Sequence, residues 1–282
     1  METKITRESR EVVISHEGFT VLIGERLNPT GRKRLSAALK EGDLSLVRKE
    51  AMAQVQAGAD ILDVNVGVTG VDEISLIADV VHLVMETVDV PLCIDSNSPR
   101  TLEAALKIYK GKPLVNSVSG EERSLGEILP LVKKYGTAVI GLPMDERGIP
   151  NDPDRRLAIT QKILDRADSI GIAREDILID PLAMTIGADG RAGGVILETI
   201  RRIKKEFGVN LTLGASNISF GLPDRDLLNG TFLAMAIAAG VNCPIVDVAK
   251  VLPIVRASDL VLGRDKYARR YTKTYREKNP PT

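Results

Sequence analysis

Short apolar runs recur along this chain, and between them the apolar residues return every three or four positions. The runs lie at 21–24, 61–65, 91–95, 114–117, 138–142, 177–180, 211–214 and 244–248. Their interiors are apolar without strict alternation, as expected of parallel strands covered on both faces. The stretches between them read as amphipathic helices. Residues 44–57 stop at Gly58, a good C-terminal stop, and 73–88 carry Ile74, Ile77, Val81, Val84 and Val88 at helical spacing. Ser98-Pro99 opens the next helix with an N-cap and a proline at the first position. The stretches 126–135, 153–170, 194–207 and 227–239 each run into a glycine. Eight strands with helices between them, in 282 residues, predict a single (β/α)8 TIM barrel. An open doubly wound sheet is the alternative, but no Gly-x-Gly-x-x-Gly turn follows a strand.

The barrel core is expected at about 21–262, within one domain spanning 1–282. Upstream, 11–14 and 19–22 flank His16-Glu17-Gly18 and read as a short N-terminal hairpin closing the barrel bottom. The basic tail, 264–282, reads as a last helix with a frayed end.

The ends of the runs carry the chemistry. Asn65, Asp95, Asn116, Asp180 and Asn217 each close or follow an apolar run, and Asp63 lies inside one. Singly, each suits a local role: Asp180-Pro181 a turn, Asp95-Ser96-Asn97-Ser98 a helix cap. In a barrel, however, all strand ends surround one mouth, where active sites are built. A ring of short carboxylates and carboxamides there can read the hydrogen-bonding edge of a flat heterocycle. A carboxylate accepts two parallel N–H bonds, and an asparagine donates and accepts at once. A 2-amino-4-oxo heterocycle, a pterin or a purine-like ring, presents such an edge. A sugar phosphate would call for glycine-rich exits after strands seven and eight.

Composition narrows the classes further. Lys+Arg and Asp+Glu are both 38, which argues against a basic nucleic-acid footprint. Cys93 and Cys243 sit in apolar runs and read as reduced core residues, fitting a cytoplasmic protein. With two histidines, no Cys/His grouping suggests a bound metal. The first ten residues are charged, unlike a secretory signal, and no apolar stretch approaches a membrane span.

Several segments resemble one family. Gly24-Glu25-Arg26-Leu27-Asn28-Pro29-Thr30-Gly31, Asp63-Val64-Asn65-Val66-Gly67, Cys93-Ile94-Asp95-Ser96, Val115-Asn116-Ser117, Ile179-Asp180-Pro181-Leu182, Ser216-Asn217-Ile218-Ser219 and Asn229-Gly230-Thr231-Phe232-Leu233-Ala234-Met235-Ala236 resemble the methyltetrahydrofolate:corrinoid protein methyltransferases. The resemblance runs from about 21 to 248 and departs at Phe220-Gly221-Leu222-Pro223, where some relatives carry polar residues. It implies a pterin-binding barrel, a homodimer, methyltetrahydrofolate as substrate, and a corrinoid (cobalamin) carried by a partner protein. By the same resemblance Asp95, Asn116 and Asp180 hold the pterin edge, Asn217 sits near N5 as the residue touching chemistry, and Arg225 lies near the folate tail. Glu25, Asn28, Asp63, Asn65 and Ser216 are implied as supporting contacts. The partner's identity and the direction of transfer stay open.

Dihydropteroate synthase shares the pterin barrel and is the first rival. Its Ser-Arg-Lys segment is replaced here by Ser216-Asn217-Ile218, and its Asn-x-Thr-Pro-Asp-Ser-Phe-Ser opening by Glu25-Arg26-Leu27-Asn28. A fragment of corrinoid methionine synthase would need zinc-binding cysteines, which Cys93 and Cys243 do not provide. A folate-binding docking subunit without catalysis is the third alternative, and Asn217 speaks against it.

Overall fold

The computed structural model describes residues 1–8 and 10–278. An antiparallel hairpin of β1 (Glu2–Arg7) and β2 (Arg10–Ser15) comes first. Eight strands follow: β3 (Ile23–Leu27), β4 (Ile61–Asn65), β5 (Leu92–Asp95), β6 (Leu114–Ser119), β7 (Ala138–Leu142), β8 (Ile177–Ile179), β9 (Asn210–Gly214) and β10 (Cys243–Val246). They pair in parallel, in chain order, and β10 closes on β3. The (β/α)8 reading is therefore right, and closure excludes the open sheet.

The helices are α1 (Lys33–Glu41), α2 (Ser45–Gln56), α3 (Glu73–Thr87), α4 (Pro99–Ile108), α5 (Glu122–Tyr135), α6 (Pro153–Ser169), α7 (Ala192–Phe207), α8 (Arg225–Ala239), α9 (Val248–Val261) and α10 (Arg269–Lys278). Local chemistry sets their ends. Asp72, Ser98 and Asp152 cap α3, α4 and α6 with their side chains, and Pro99 and Pro153 take the first helical positions. The final helix is α10; the frayed end expected at 279–282 lies outside the described residues.

Period-two alternation sorts each strand between two cores. Ile61, Cys93, Leu114, Ala138, Leu178 and Cys243 form an inner cluster with Ile5 and Ile14 of the hairpin. Leu62, Ile94, Val115 and Val139 belong to the larger cluster that includes the surrounding helices. The barrel is thus filled by side chains, and the hairpin closes its lower end.

The hairpin differs from the expectation in its partners. Residues 11–14 do form a strand, but they pair with β1 rather than with 19–22. β1 buries Thr3, Ile5 and Arg7, so only one of its inward residues is aliphatic and hydropathy alone does not mark it. Residues 19–22 instead run up to β3, with Thr20 fastened to the Asp259 carboxylate and the Val21 amide to Asn242 O. The hairpin is fastened by Asn210, whose Nδ2 donates to Ile14 O and Thr3 Oγ1, each at 2.9 Å. Ile14 is fully buried. Ile14→Ala is expected to destabilise the fold by about 2–4 kcal/mol through the cavity it opens. A urea titration checks this: the midpoint should fall at unchanged slope.

Candidate active site

Sheet register decides which polar residues face the mouth and how deep. Asn65 pairs with Asp95, and Asp95 with Asn116, so the three share one inward-facing layer at the C-terminal strand ends. Asp63 pairs with Cys93, which pairs with Leu114, and so lies one layer deeper. Asp63 is 2% exposed, whereas Asp95 is half-buried.

Asp95 is oriented by two carboxamides. Its Oδ2 accepts from Asn65 Nδ2 at 2.9 Å and from Asn28 Nδ2 at 3.2 Å. Each carboxamide is held in turn by its own loop. The Gly67 amide donates to Asn65 Oδ1 at 2.7 Å, and the Thr30 amide to Asn28 Oδ1 at 3.0 Å. Both N–H groups are thereby aimed at Asp95, whose Oδ1 has no protein partner among the described residues. Below, Asn116 Nδ2 donates to Asp63 Oδ1 at 3.2 Å, leaving the Asn116 carbonyl for the mouth. Burial raises the carboxyl of Asp63 well above its usual range, and the neighbouring charge of Asp95 adds to it. Asp95 is raised too, chiefly by burial, against the pull of Asn65.

Asp180 follows β8. Its Oδ1 accepts from the Leu182 amide at 2.8 Å and its Oδ2 from the Gly214 amide at 3.2 Å. Each oxygen retains a lone pair, so an arriving N–H pair can still be accepted. Burial pushes its carboxyl up to about 6, opposed by those two amides and by Arg156. Leu182 has φ 65°, the left-handed region, which costs a leucine about 1–2 kcal/mol. Arg156 on α6 holds that residue from outside. It is 1% exposed; Nη1 donates to Pro181 O and to Leu182 O at 3.0 Å, and Nε to Pro150 O at 2.8 Å.

The facing side of the mouth comes from β3, β9 and the turn after β9. A 3-10 turn, Ala215–Ser219, carries Ser216 and Asn217. Ser216 Oγ donates to Glu25 Oε2 at 3.1 Å, and burial raises the Glu25 carboxyl. Asn217 is exposed, and its Nδ2 lies 3.2 Å from where a Cβ would stand on Gly214. Gly214 thus ties the two sides: its amide holds Asp180, and its missing side chain admits Asn217. Arg225 braces the turn, donating to Ser216 O at 2.9 Å and Ser219 Oγ at 3.0 Å, 5.9 Å from the Phe220 ring centroid. So the structure puts Arg225 on the Asn217 turn itself.

All the residues singled out from the sequence therefore gather at one end of the barrel. Three further groups were not foreseen: Arg156, the Arg26 network and Gln54. Arg26 pairs with Glu50 at 2.8 Å and Asp247 at 2.9 Å, and Glu50 also holds Arg32 at 2.9 Å. Gln54 accepts from the Arg26 amide, at a place where a Cβ on Gly24 would stand 2.5 Å from its oxygen. Gly24 is needed there to let α2 approach β3.

Comparison with known proteins gives three results. Residues 24–247 match the family model of pterin binding enzymes. The chain is 32% identical over 267 residues to the methylcorrinoid:tetrahydrofolate methyltransferase of Eubacterium limosum, covering 91% of this chain and 96% of that one. It is 31% identical over 274 residues to the methionine synthase of Mycobacterium tuberculosis, covering 90% of this chain but 23% of the synthase. Among solved structures, dihydropteroate synthases share the fold. That of Yersinia pestis with a pterine-sulfa conjugate has TM-score 0.72 and 19% identity, covering 93% of this chain and 100% of that one. That of Xanthomonas albilineans with 7,8-dihydropteroate has TM-score 0.72 and 20% identity, covering 92% and 98%.

Proposed function

This chain belongs to the pterin binding enzymes and to the family of the methylcorrinoid:tetrahydrofolate methyltransferase, and on that premise we propose that it carries a methyl group between N5 of tetrahydrofolate and the cobalt of a corrinoid on a partner protein. The observation that carries the reading is the joint at Gly214. It sets Asn217 beside the carboxylate that would read the heterocycle edge.

In the demethylation direction the C–N bond breaks, its electron pair stays on N5, and N5 gains a proton. The cobalt(I) supplies the pair for the new carbon–cobalt bond and becomes methylcobalt(III). This chain contributes orientation and hydrogen bonds. Asp180, ionised near neutral pH, accepts from the amino and ring N–H groups of the pterin edge. Asp95 and Asn116 meet the same ring from β5 and β6, with Asn28, Asn65 and Asp63 holding them in place. Asn217 donates to N5, a bond that strengthens as the basicity of N5 grows during C–N cleavage. Ser216, Glu25 and Arg225 fix the turn that bears it. The mouth stays open to the partner's corrinoid.

Mixing the protein with free cobalt(I) cobalamin and methyltetrahydrofolate tests this. The expected result is conversion of the cobalt(I) spectrum to that of methylcobalt(III). Folate binding without that conversion would leave a docking subunit. Dihydropteroate formed from a pterin pyrophosphate and p-aminobenzoate would favour the synthase instead.

A further inference from the structure

Arg156 is the largest fully buried side chain among the described residues. It sits in the first turns of α6, outside the mouth ring. Among the described residues its hydrogen bonds run to three backbone carbonyls, those of Pro150, Pro181 and Leu182, and to no carboxylate. Burying a guanidinium on carbonyls alone is an expensive way to fasten a loop, since neutral donors would serve. The charge itself therefore asks for an explanation.

Two observations point to Asp180. Leu182, strained at φ 65°, is held at its amide by Asp180 and at its carbonyl by Arg156. The guanidinium and the carboxylate are thus the two ends of one clamp on one residue. Second, after burial and the Leu182 and Gly214 amides, the Arg156 charge also bears on the Asp180 carboxyl, and burial of Arg156 is opposed by the charges of Asp180 and Asp152. The other groups facing Asp180 are backbone: the Leu182 amide, the Gly214 amide of β9, and Gly141 O of β7, which accepts from the Asp180 amide.

We propose that Arg156 is a positioning residue for substrate recognition: clamped on Leu182 opposite Asp180, it fixes the loop from which the Asp180 carboxylate meets the pterin edge. The assignment rests on the folate reading above. It separates two duties of one side chain. The planar fork sets the geometry of Pro181 and Leu182, and the charge adds to the two amides in favouring the ionised Asp180 carboxyl against burial.

The test is tetrahydrofolate binding as a function of pH in wild type, Arg156→Gln, Arg156→Lys, Asp180→Asn and the Arg156→Gln/Asp180→Asn double variant. Wild-type affinity is expected to fall as the pH drops through the region of pH 6, where Asp180 takes its proton. Removing a nearby positive charge raises a carboxyl pKa, so the Arg156→Gln midpoint should move up. Arg156→Lys keeps the charge without the fork: the midpoint should return to the wild-type value while affinity stays several-fold lower. In the Asp180→Asn background, Arg156→Gln should change affinity by less than about twofold. A lysine midpoint shifted as far as that of glutamine, or a glutamine effect of equal size in both backgrounds, would overturn the role of Arg156. If wild type binds no tetrahydrofolate at any pH, the proposed function falls and this inference with it. If wild type binds and the midpoints coincide, only the role of Arg156 falls.

Discussion

Asn217→Ala is expected to slow methyl transfer by about 10²–10³-fold, the range for deleting a single donor aimed at developing charge. Tetrahydrofolate affinity should change by only a few-fold. The asymmetry follows from where the side chain stands. Asn217 is exposed on the 3-10 turn after β9, and its carboxamide has no protein hydrogen-bond partner among the described residues. Its loss therefore leaves no buried group unpaired and costs the fold little. The turn keeps its shape, because Ser216, Ser219 and Arg225 hold it through one another and through Glu25. The pterin edge keeps Asp180, Asp95 and Asn116, none of which leans on Asn217. What disappears is the donor to N5, and that bond matters most once the methyl carbon is leaving. A contact made mainly in the transition state lowers the rate constant without matching loss of binding. Stopped-flow transfer at saturating folate, beside an equilibrium titration, separates the two. Rates near wild type would sink the assignment, and so would an equal loss in both quantities.

How much of this was legible beforehand depended on the kind of signal. Parallel strands announce themselves as apolar runs because both faces are covered, and all eight were found. The first differs in extent: β3 continues to Leu27, and hydropathy does not mark its second half because Glu25 and Arg26 point into polar networks rather than core. β1 went unseen because its inward residues are Thr3, Ile5 and Arg7. The polar ring was visible as residue types at strand ends. Its depth was not, because depth comes from register, and register placed Asp63 a layer beneath Asp95. Arg156 illustrates the limit most clearly. It follows Arg155 in a charged helix start, and nothing local distinguishes the two. Arg155 turns outward to Asp145 at 2.7 Å, while Arg156 turns into the protein. Pro150 O is a near neighbour in the chain, but the other two partners, Pro181 O and Leu182 O, lie on the distant Asp180 loop that folding brings alongside.

Asp180→Asn is expected to weaken tetrahydrofolate binding at pH 7.5 by at least about 100-fold, while leaving the ligand-free protein as stable as wild type or more so. Binding falls because the carboxylate accepts two N–H bonds of the pterin edge, and a bond to a charged acceptor contributes about 1.5–3 kcal/mol. An asparagine offers one oxygen and sets its own N–H groups against incoming donors. Stability moves the other way. The native carboxyl sits at about 6, against an ordinary value of 3.8, with burial as the main cause. A carboxyl raised in the native state costs stability wherever it is ionised, above the native pKa. The full cost above pH 6 is about 2–3 kcal/mol. As the pH falls from 7 towards 4, the native state takes the proton before the unfolded chain does, so the ligand-free protein gains stability across that window. Below the unfolded value the term vanishes. Asparagine carries no such charge, so its curve should lack this part of the slope. Part of the gain is offset by about 1–2 kcal/mol, because an amide N–H must face the amide of either Leu182 or Gly214. Asp63 and Asp95 are raised in the same direction and remain, so the variant's curve should flatten rather than become level. Thermal melts of both proteins between pH 4.5 and 8, with a folate titration at each end, check the pair of effects. A variant that binds like wild type would remove Asp180 from the recognition set. A variant several kcal/mol less stable at neutral pH would mean that the carboxylate is kept for the fold. The expected outcome instead makes the buried carboxylate a cost to the fold, kept for the ligand it reads.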